Sequence, residues 1–261
     1  MTNPSLIVFT DLDGTLLDHH SYSWAPALPA LAKLRAMGVP VVLASSKTAA
    51  EIAPLRNEMR LPHCPAIVEN GAGLLPARTD PDETGEDYAR LRAALDTLPA
   101  DLRTPFRGFG DMSPQEVADI TGLPLDNARL ARARAFSEPG LFDGDRETLQ
   151  AFVAALEAKG LTARRGGRFL TLSFGGTKAD RMDEIIKDYG NPTSIALGDA
   201  PNDVEMLERA DHGVIIANPS GNALPILAGE REGRVLRSEK AGPDGWNEMM
   251  LRLVSTLTTS K

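Results

Sequence analysis

Cysteine is almost absent: Cys64 is the only one in 261 residues, so no disulfide can form within the chain. That fits a reducing compartment, and the cytoplasm is the expected location. Basic surplus is absent too. The formal net charge of -8 argues against a general nucleic-acid or anionic-membrane surface. Any anionic substrate must therefore be met by local positive groups or a metal. No apolar run approaches membrane-spanning length, and no basic segment followed by a signal-length apolar stretch opens the sequence. Internal repeats and low-complexity tracts are missing as well. What remains is ordinary globular composition, 42% hydrophobic and 25% charged, with enough chain for one large domain or two smaller ones.

The first informative stretch is Ser5–Thr15, a short β-branched run that reads as a buried parallel strand. It ends in Asp11-Leu12-Asp13-Gly14-Thr15. Two carboxylates at i and i+2 point the same way on an extended segment and repel each other unless a cation or a shared proton sits between them. Taken alone, a D-x-D of this kind also suits a solvated turn. A helical pattern follows through Leu28, Leu31 and Leu34 and stops at Gly38. A second strand, Val39–Ala44, ends at Ser45-Ser46-Lys47-Thr48. Thr48 and Glu51 have capping-box spacing for another helix, which Pro54 is expected to kink. A third strand, Ala66–Val68, ends at Glu69-Asn70-Gly71. Strands alternating with helices at this spacing predict an α/β fold with a doubly wound, Rossmann-like parallel sheet, whose chemistry gathers at the carboxyl ends of the strands.

From Pro76 to Gly85 the composition shifts to Pro, Asp, Thr and Gly, a linker into a second module. That module reads as α+β. Helices are expected near Asp87–Leu98, after the Ser113-Pro114-Gln115-Glu116 capping box, over Asp126–Arg134, and from Asp145 to Gly160. Strands are expected near Phe106, over Ala135–Phe142, and at Leu161–Ala163 and Phe169–Phe174. The sheet pattern then resumes with a helix carrying Lys178 in its first turn and a strand at Ser194–Leu197 ending in Gly198-Asp199-Ala200-Pro201-Asn202-Asp203. A further strand, Gly213–Ala217, follows. The remainder is expected to return to the surface, with a last helix over Trp246–Leu257. Domain boundaries are placed at 1–80 and 176–261 for the split sheet domain and 81–175 for the insert.

Strand ends and one helix start thus supply Asp11 with Asp13, Ser45, Lys178, and Asp199 with Asp203. These suit phosphoryl transfer. A carboxylate can attack phosphorus, a second can protonate the leaving oxygen and then activate water, and a hydroxyl and an ammonium can hold the phosphate oxygens. Mg²⁺ favours sites with few carboxylates and phosphate oxygens. A lysine in a helix first turn is slightly unfavourable for the dipole, which favours a functional reading of Lys178. Asp203 also suits a plain early-helix acid, and Asn202 a helix cap. His19, His20, His63 and His212 read as solvated or structural.

In this ordered set the chain resembles the haloacid dehalogenase superfamily of phosphatases. Asp11-Leu12-Asp13-Gly14-Thr15 is similar to its first motif, Ser45 to its second, Lys178 to its third and Gly198-Asp199-x-x-Asn202-Asp203 to its fourth. The resemblance implies Asp11 as nucleophile and Asp13 as general acid/base. It implies Mg²⁺ held by Asp11, the backbone oxygen of Asp13 and Asp199, with Asp203 nearby, and Ser45 and Lys178 on phosphate. The insert then corresponds to a type-2 cap that selects the substrate.

Ser45-Ser46-Lys47-Thr48-x-x-Glu51, Glu69-Asn70-Gly71, Ser137-Glu138-Pro139 and Gly166-Gly167-Arg168-Phe169 further resemble the mannosyl-3-phosphoglycerate phosphatases. The subfamily resemblance implies a glycosyl-3-phosphoglycerate, a small phosphorylated sugar, as substrate. Its carboxylate needs an arginine fork, for which Arg168 is the best placed of the cap arginines; Arg129, Arg132, Arg134, Arg164 and Arg165 also suit solvated charges. Ser46, Lys47, Asn70, Glu138 and Asn202 complete the substrate candidates. Competing expectations are a broad sugar- or polyol-phosphate phosphatase, a phosphosugar mutase, and a phosphosugar-binding protein without turnover.

Overall fold

A computed structural model describes residues 4–81, 85–221 and 223–259. The chain opens with β1 (Leu6–Thr10), α1 (Leu28–Ala36), β2 (Val41–Ala44), α2 (Ala49–Glu58), β3 (Ala66–Val68) and β4 (Gly73–Leu75). Every residue of β1, β2 and β3 is buried, the signature of strands covered on both faces. Thr48 caps α2 through a reciprocal box with Glu51, and the helix continues through Pro54. The expected linker at 76–85 lies partly outside the described residues, at 82–84.

The middle of the chain forms α3 (Glu86–Asp96), α4 (Ala100–Arg103), β5 (Phe106–Gly108), α5 (Pro114–Thr121), α6 (Leu125–Arg132), β6 (Ser137–Phe142), α7 (Arg146–Glu157), β7 (Thr162–Gly166) and β8 (Phe169–Ser173). Its four strands make an antiparallel sheet in the order β5-β6-β8-β7. Leu91, Leu95, Phe106, Phe152, Leu156 and Leu172 form its main core, and Phe109, Met112, Val117 and Ala128 a second one. Ser113 and Asp145 cap α5 and α7 by accepting from the Glu116 and Thr148 amides. This is the expected α+β insert.

The chain then runs α8 (Lys178–Asp188), β9 (Thr193–Gly198), α9 (Val204–Arg209), β10 (His212–Ala217), α10 (Ala228–Arg231), β11 (Val235–Ala241) and α11 (Gly242–Thr259). A seven-stranded sheet has the order β11-β10-β9-β1-β2-β3-β4. The recorded pairings among β11, β10, β9, β1, β2 and β3 are all parallel. The crossover from β3 back to β9 beside β1 gives the doubly wound α/β order.

Strands β4 and β11 and the short helices α4 and α10 went unread in the sequence. The segment after Asn218, expected to lie on the surface, instead supplies the edge strand β11, in which exposed Arg237 and Glu239 alternate with half-buried Leu236 and Ser238. Charges on an edge strand discourage further pairing and hide its period. The last helix forms over Gly242–Thr259, with Trp246 fully buried.

The described residues pack as two compact units. One holds the residues up to Ser45, His63–Ile67 and Lys178 onward; the other holds Ser46–Pro62 and Val68–Thr177. Among the described residues, no helix is long and apolar enough to cross a membrane.

Candidate active site

Parallel neighbours β10, β9, β1 and β2 end, in that order, at Asn218, Asp199, Asp11 and Ser45. Strand register therefore gathers four polar groups from distant parts of the sequence at one sheet edge. Asp11 itself is placed by its backbone, since its N–H donates to the Leu197 carbonyl at 2.9 Å and its carbonyl accepts from the Thr10 hydroxyl at 2.8 Å. The same hydroxyl accepts from the Trp246 indole N–H at 2.9 Å, so α11 braces the end of β1.

The chain turns at once after β1. Both Thr15 and Leu17 donate backbone N–H groups to the Leu12 carbonyl, and Gly14 donates to Leu17. Gly14 has φ +81°, and a Cβ there would come within 2.8 Å of Asp199 Oδ2, so the turn demands glycine twice over. Asp11 ends up buried and Asp13 half-buried.

Lys178, at the start of α8, is buried and donates from Nζ to Asp11 Oδ1 and Asp203 Oδ1, each at 2.7 Å. The second oxygen of Asp203 accepts from the Asp199 and Ala200 amides, both at 3.1 Å, which fixes the turn between β9 and α9. Asp199 accepts from the Thr15 hydroxyl at 2.6 Å and from Asn218 Nδ2 at 2.6 Å. Thr15 and Asn218 were not read as site residues. Their signal was positional only: a hydroxyl following D-x-D-G and an amide closing a strand.

Burial pushes the Asp11 carboxyl well up, Lys178 pulls it back, and the nearby Asp203 and Asp199 charges push it up again. Asp199 is likewise raised, by burial first and against the bonds from Thr15 and Asn218. For Lys178, burial favours the neutral amine, yet the Asp11 and Asp203 charges outweigh it and hold the ammonium above its ordinary range. Carboxylate oxygens of Asp11, Asp199 and Asp203 lie within 4.8 Å of one another, all three buried. With one ammonium among three carboxylates, full ionisation leaves two negative charges, the charge a divalent cation cancels. A cavity of about 300 Å³ lies beside Asp199, lined also by Asn218 and Ser238. The donor set fits a hard divalent cation. The Asp13 carboxylate is outside this trio of side chains.

The remaining candidates are dispersed. Ser45 is buried at the end of β2, with its N–H donating to the Ile67 carbonyl at 3.0 Å. Asn202 is exposed in the turn before α9. Ser46, Lys47, Asn70, Glu138 and Arg168 belong to the other unit. Ser46 is exposed and Lys47 half-buried in the turn before α2; Asn70 has φ +58° in the turn after β3. Arg168 is exposed in the β7–β8 hairpin, its guanidinium 5.5 Å from the Phe169 ring centroid. Glu138 is fully buried in β6, accepting from the Tyr88 hydroxyl and from the Gly110 N–H at 2.7 Å, with Arg92 at 3.6 Å.

Similarity to known proteins agrees with this geometry. The haloacid dehalogenase-like hydrolase family matches residues 8–85 and 140–227. A glucosyl-3-phosphoglycerate/mannosyl-3-phosphoglycerate phosphatase of Persephonella marina is 32% identical over 273 residues, covering 97% of this chain and 98% of its own. Among solved structures, a haloalkanoate-superfamily phosphatase from Bacteroides thetaiotaomicron superposes with a TM-score of 0.66 at 19% identity, over 94% of this chain and 93% of its own. A sugar phosphatase of subclass IIB does so with a TM-score of 0.62 at 17% identity, over 95% and 98%. The chain belongs to the haloacid dehalogenase-like hydrolases. It is a phosphoric monoester hydrolase with the α/β core and inserted α+β module of that family.

Proposed function

We propose that the protein is a Mg²⁺-dependent phosphatase that removes phosphate from glucosyl- or mannosyl-3-phosphoglycerate in the cytoplasm. The observation that carries the chemistry is the Lys178 ammonium shared between Asp11 and Asp203 at 2.7 Å, beside Asp199. The substrate class is supported by the relative from Persephonella marina.

In this reading an oxygen of the Asp11 carboxylate attacks phosphorus and the ester oxygen departs, taking a proton from Asp13. The aspartyl-phosphate is then opened by water, whose proton returns to Asp13, releasing phosphate and restoring both carboxyl groups. Lys178 orients the attacking oxygen and, with the Ser45 hydroxyl, stabilises charge on the phosphate oxygens. Asp11 and Asp199 would hold Mg²⁺, with Asp13 contributing its backbone oxygen and Asp203 holding the surrounding turn. Bound there, the cation keeps buried carboxylates ionised and neutralises phosphate charge.

Ser46, Lys47, Asn70 and Asn202 are assigned to substrate hydroxyls and phosphate, and Arg168 to the glycerate carboxylate. Glu138, expected among the sugar-binding groups, is reassigned as a brace within the insert, because its oxygens already serve Tyr88 and Gly110. The insert over 81–175 is proposed to act as the selective cap.

The deciding experiment is phosphate release from a panel of glycosyl-3-phosphoglycerates, sugar phosphates and polyol phosphates, with and without Mg²⁺. Release should be fastest from the phosphoglycerates, need the cation, and vanish in Asp11→Asn. Broad turnover without preference would replace this substrate class with a general sugar phosphatase. Turnover by Asp11→Asn at wild-type rate would remove the covalent route.

A further inference from the structure

The turn that follows β3 is held in an unusual backbone. Glu69, Asn70 and Gly71 have φ of +52°, +58° and +91°. Asparagine and glycine tolerate this region, whereas a glutamate there costs on the order of 1–2 kcal/mol. Such strain persists only where surrounding contacts over-determine it.

Those contacts converge on the Glu69 side chain, which is only 2% exposed as a residue. Its Oε1 accepts from the Ala135 N–H at 2.8 Å. Its Oε2 accepts from the Phe136 N–H at 3.2 Å and the Ser137 hydroxyl at 2.7 Å, and lies 3.3 Å from Arg134 Nε. Arg134, also buried, donates to Ser137 Oγ at 2.8 Å and reaches the Ser46 carbonyl at 3.5 Å. The Glu69 N–H donates to the Lys47 carbonyl at 2.9 Å. Thr48 adds a further tie: its hydroxyl caps α2 and donates to the Leu130 carbonyl at 2.9 Å. At Gly73 a Cβ would fall 2.1 Å from the Phe136 ring, so the two segments approach as closely as backbone allows.

A buried ion pair is a poor device for stability alone, because apolar packing of the same volume serves as well or better. Its strength is geometric. Here it locks three separate stretches, the turn at 46–48, the turn at 69–71 and the segment 134–137, into one arrangement. Two of those stretches carry Ser46, Lys47 and Asn70.

We infer that Glu69, held by Arg134, is a positioning residue for substrate selection: it sets the Ser46–Lys47 turn and the Asn70 turn in a common geometry. The inference rests on the substrate roles proposed above for Ser46, Lys47 and Asn70. The bonds of Glu69 run to Lys47 and to the 134–137 segment, so its loss acts on recognition before chemistry. Glutamine is the informative replacement. It keeps the volume, but its amide turns an N–H toward a ring of donors and gives up the charge that holds Arg134.

The test measures kcat and KM for a glycosyl-3-phosphoglycerate and, separately, for a small aryl phosphate. Glu69→Gln should raise KM for the phosphoglycerate about tenfold while kcat/KM for the aryl phosphate stays within about twofold. Ser137→Ala and Arg134→Lys should show the same split more weakly, and they carry the test if Glu69→Gln does not fold. Equal loss on both substrates, or no change on either, overturns the positioning role while the phosphatase reading stands. A wild type that cleaves the aryl phosphate but shows no preference for phosphoglycerates overturns the substrate reading, and the inference with it.

Discussion

Replacing Lys178 by methionine tests how the cluster is held together. Methionine keeps an unbranched side chain of similar length but removes the ammonium from between Asp11 Oδ1 and Asp203 Oδ1, each 2.7 Å away. At an effective dielectric constant of about 20, each contact is worth about 6 kcal/mol of gross attraction. Most of that offsets the cost of burying three ions. What shows on removal is the penalty of two carboxylates left buried without their cation, about 3–5 kcal/mol. Urea unfolding at neutral pH in the presence of a chelator should record that loss with an unchanged m-value.

Two controls fix the cause. The folded Lys178 ammonium titrates above its ordinary 10.5, so its contribution in the wild type is complete below that pH and disappears only as pH rises through the folded value. In Lys178→Met the deficit should instead shrink on acidification, as the raised Asp11 carboxyl takes up a proton. Millimolar Mg²⁺ should also recover part of the variant's stability by binding the folded state. A loss below about 1 kcal/mol at neutral pH would refute the picture of an ammonium holding the carboxylates together.

Thr15→Val and Asn218→Ala each remove one donor from Asp199 and should push its carboxyl still higher; Mg²⁺ affinity measured by titration calorimetry should fall roughly 10–100-fold, and wild-type affinity in both would deny these partners their role. Burial raises Glu138 above its ordinary 4.5, so the native state holds that proton longer than the unfolded chain, and stability should drop as pH rises from 4.5 through the folded value. Glu138→Gln lacks this slope, so the difference in unfolding free energy between variant and wild type should move in the variant's favour over that window. A difference flat with pH would contradict it.

Much of the candidate site was legible because its residues sit where local sequence signals are strongest. β-branched runs marked β1, β2 and β9, and the polar residue after each run fell at the sheet's carboxyl edge. Capping spacing located α2 and α5 correctly, since Thr48–Glu51 and Ser113–Glu116 are reciprocal bonds within one turn. Long-range pairing was not legible. Thr15 and Asn218 look like ordinary turn residues until β1 and β10 are placed on either side of β9. The strand over Ser137–Phe142 is expected, but the burial of Glu138 within it is not, because Tyr88 and Gly110 arrive from elsewhere to satisfy the acid. Edge strand β11 carries too many charges to show an apolar period. Trp246 gave a helix but not its partner, Thr10, at the opposite end of the sequence.

The distance along the chain between Asp11 and Lys178 has a consequence during synthesis. The two are 167 residues apart, and the whole insert is made between them. At about 5–20 residues per second, β1 and its aspartate wait roughly 10–30 s for the ammonium to emerge. The insert's cores, formed from residues between Leu91 and Leu172, have that interval in which to fold first. Until β9 follows, β1 lacks its recorded neighbour on that side and its carboxylate lacks its counter-ion. A chain stopped before Lys178 therefore holds every residue of the insert's cores but lacks the ammonium and Asp199, with an apolar strand left to be shielded by other means.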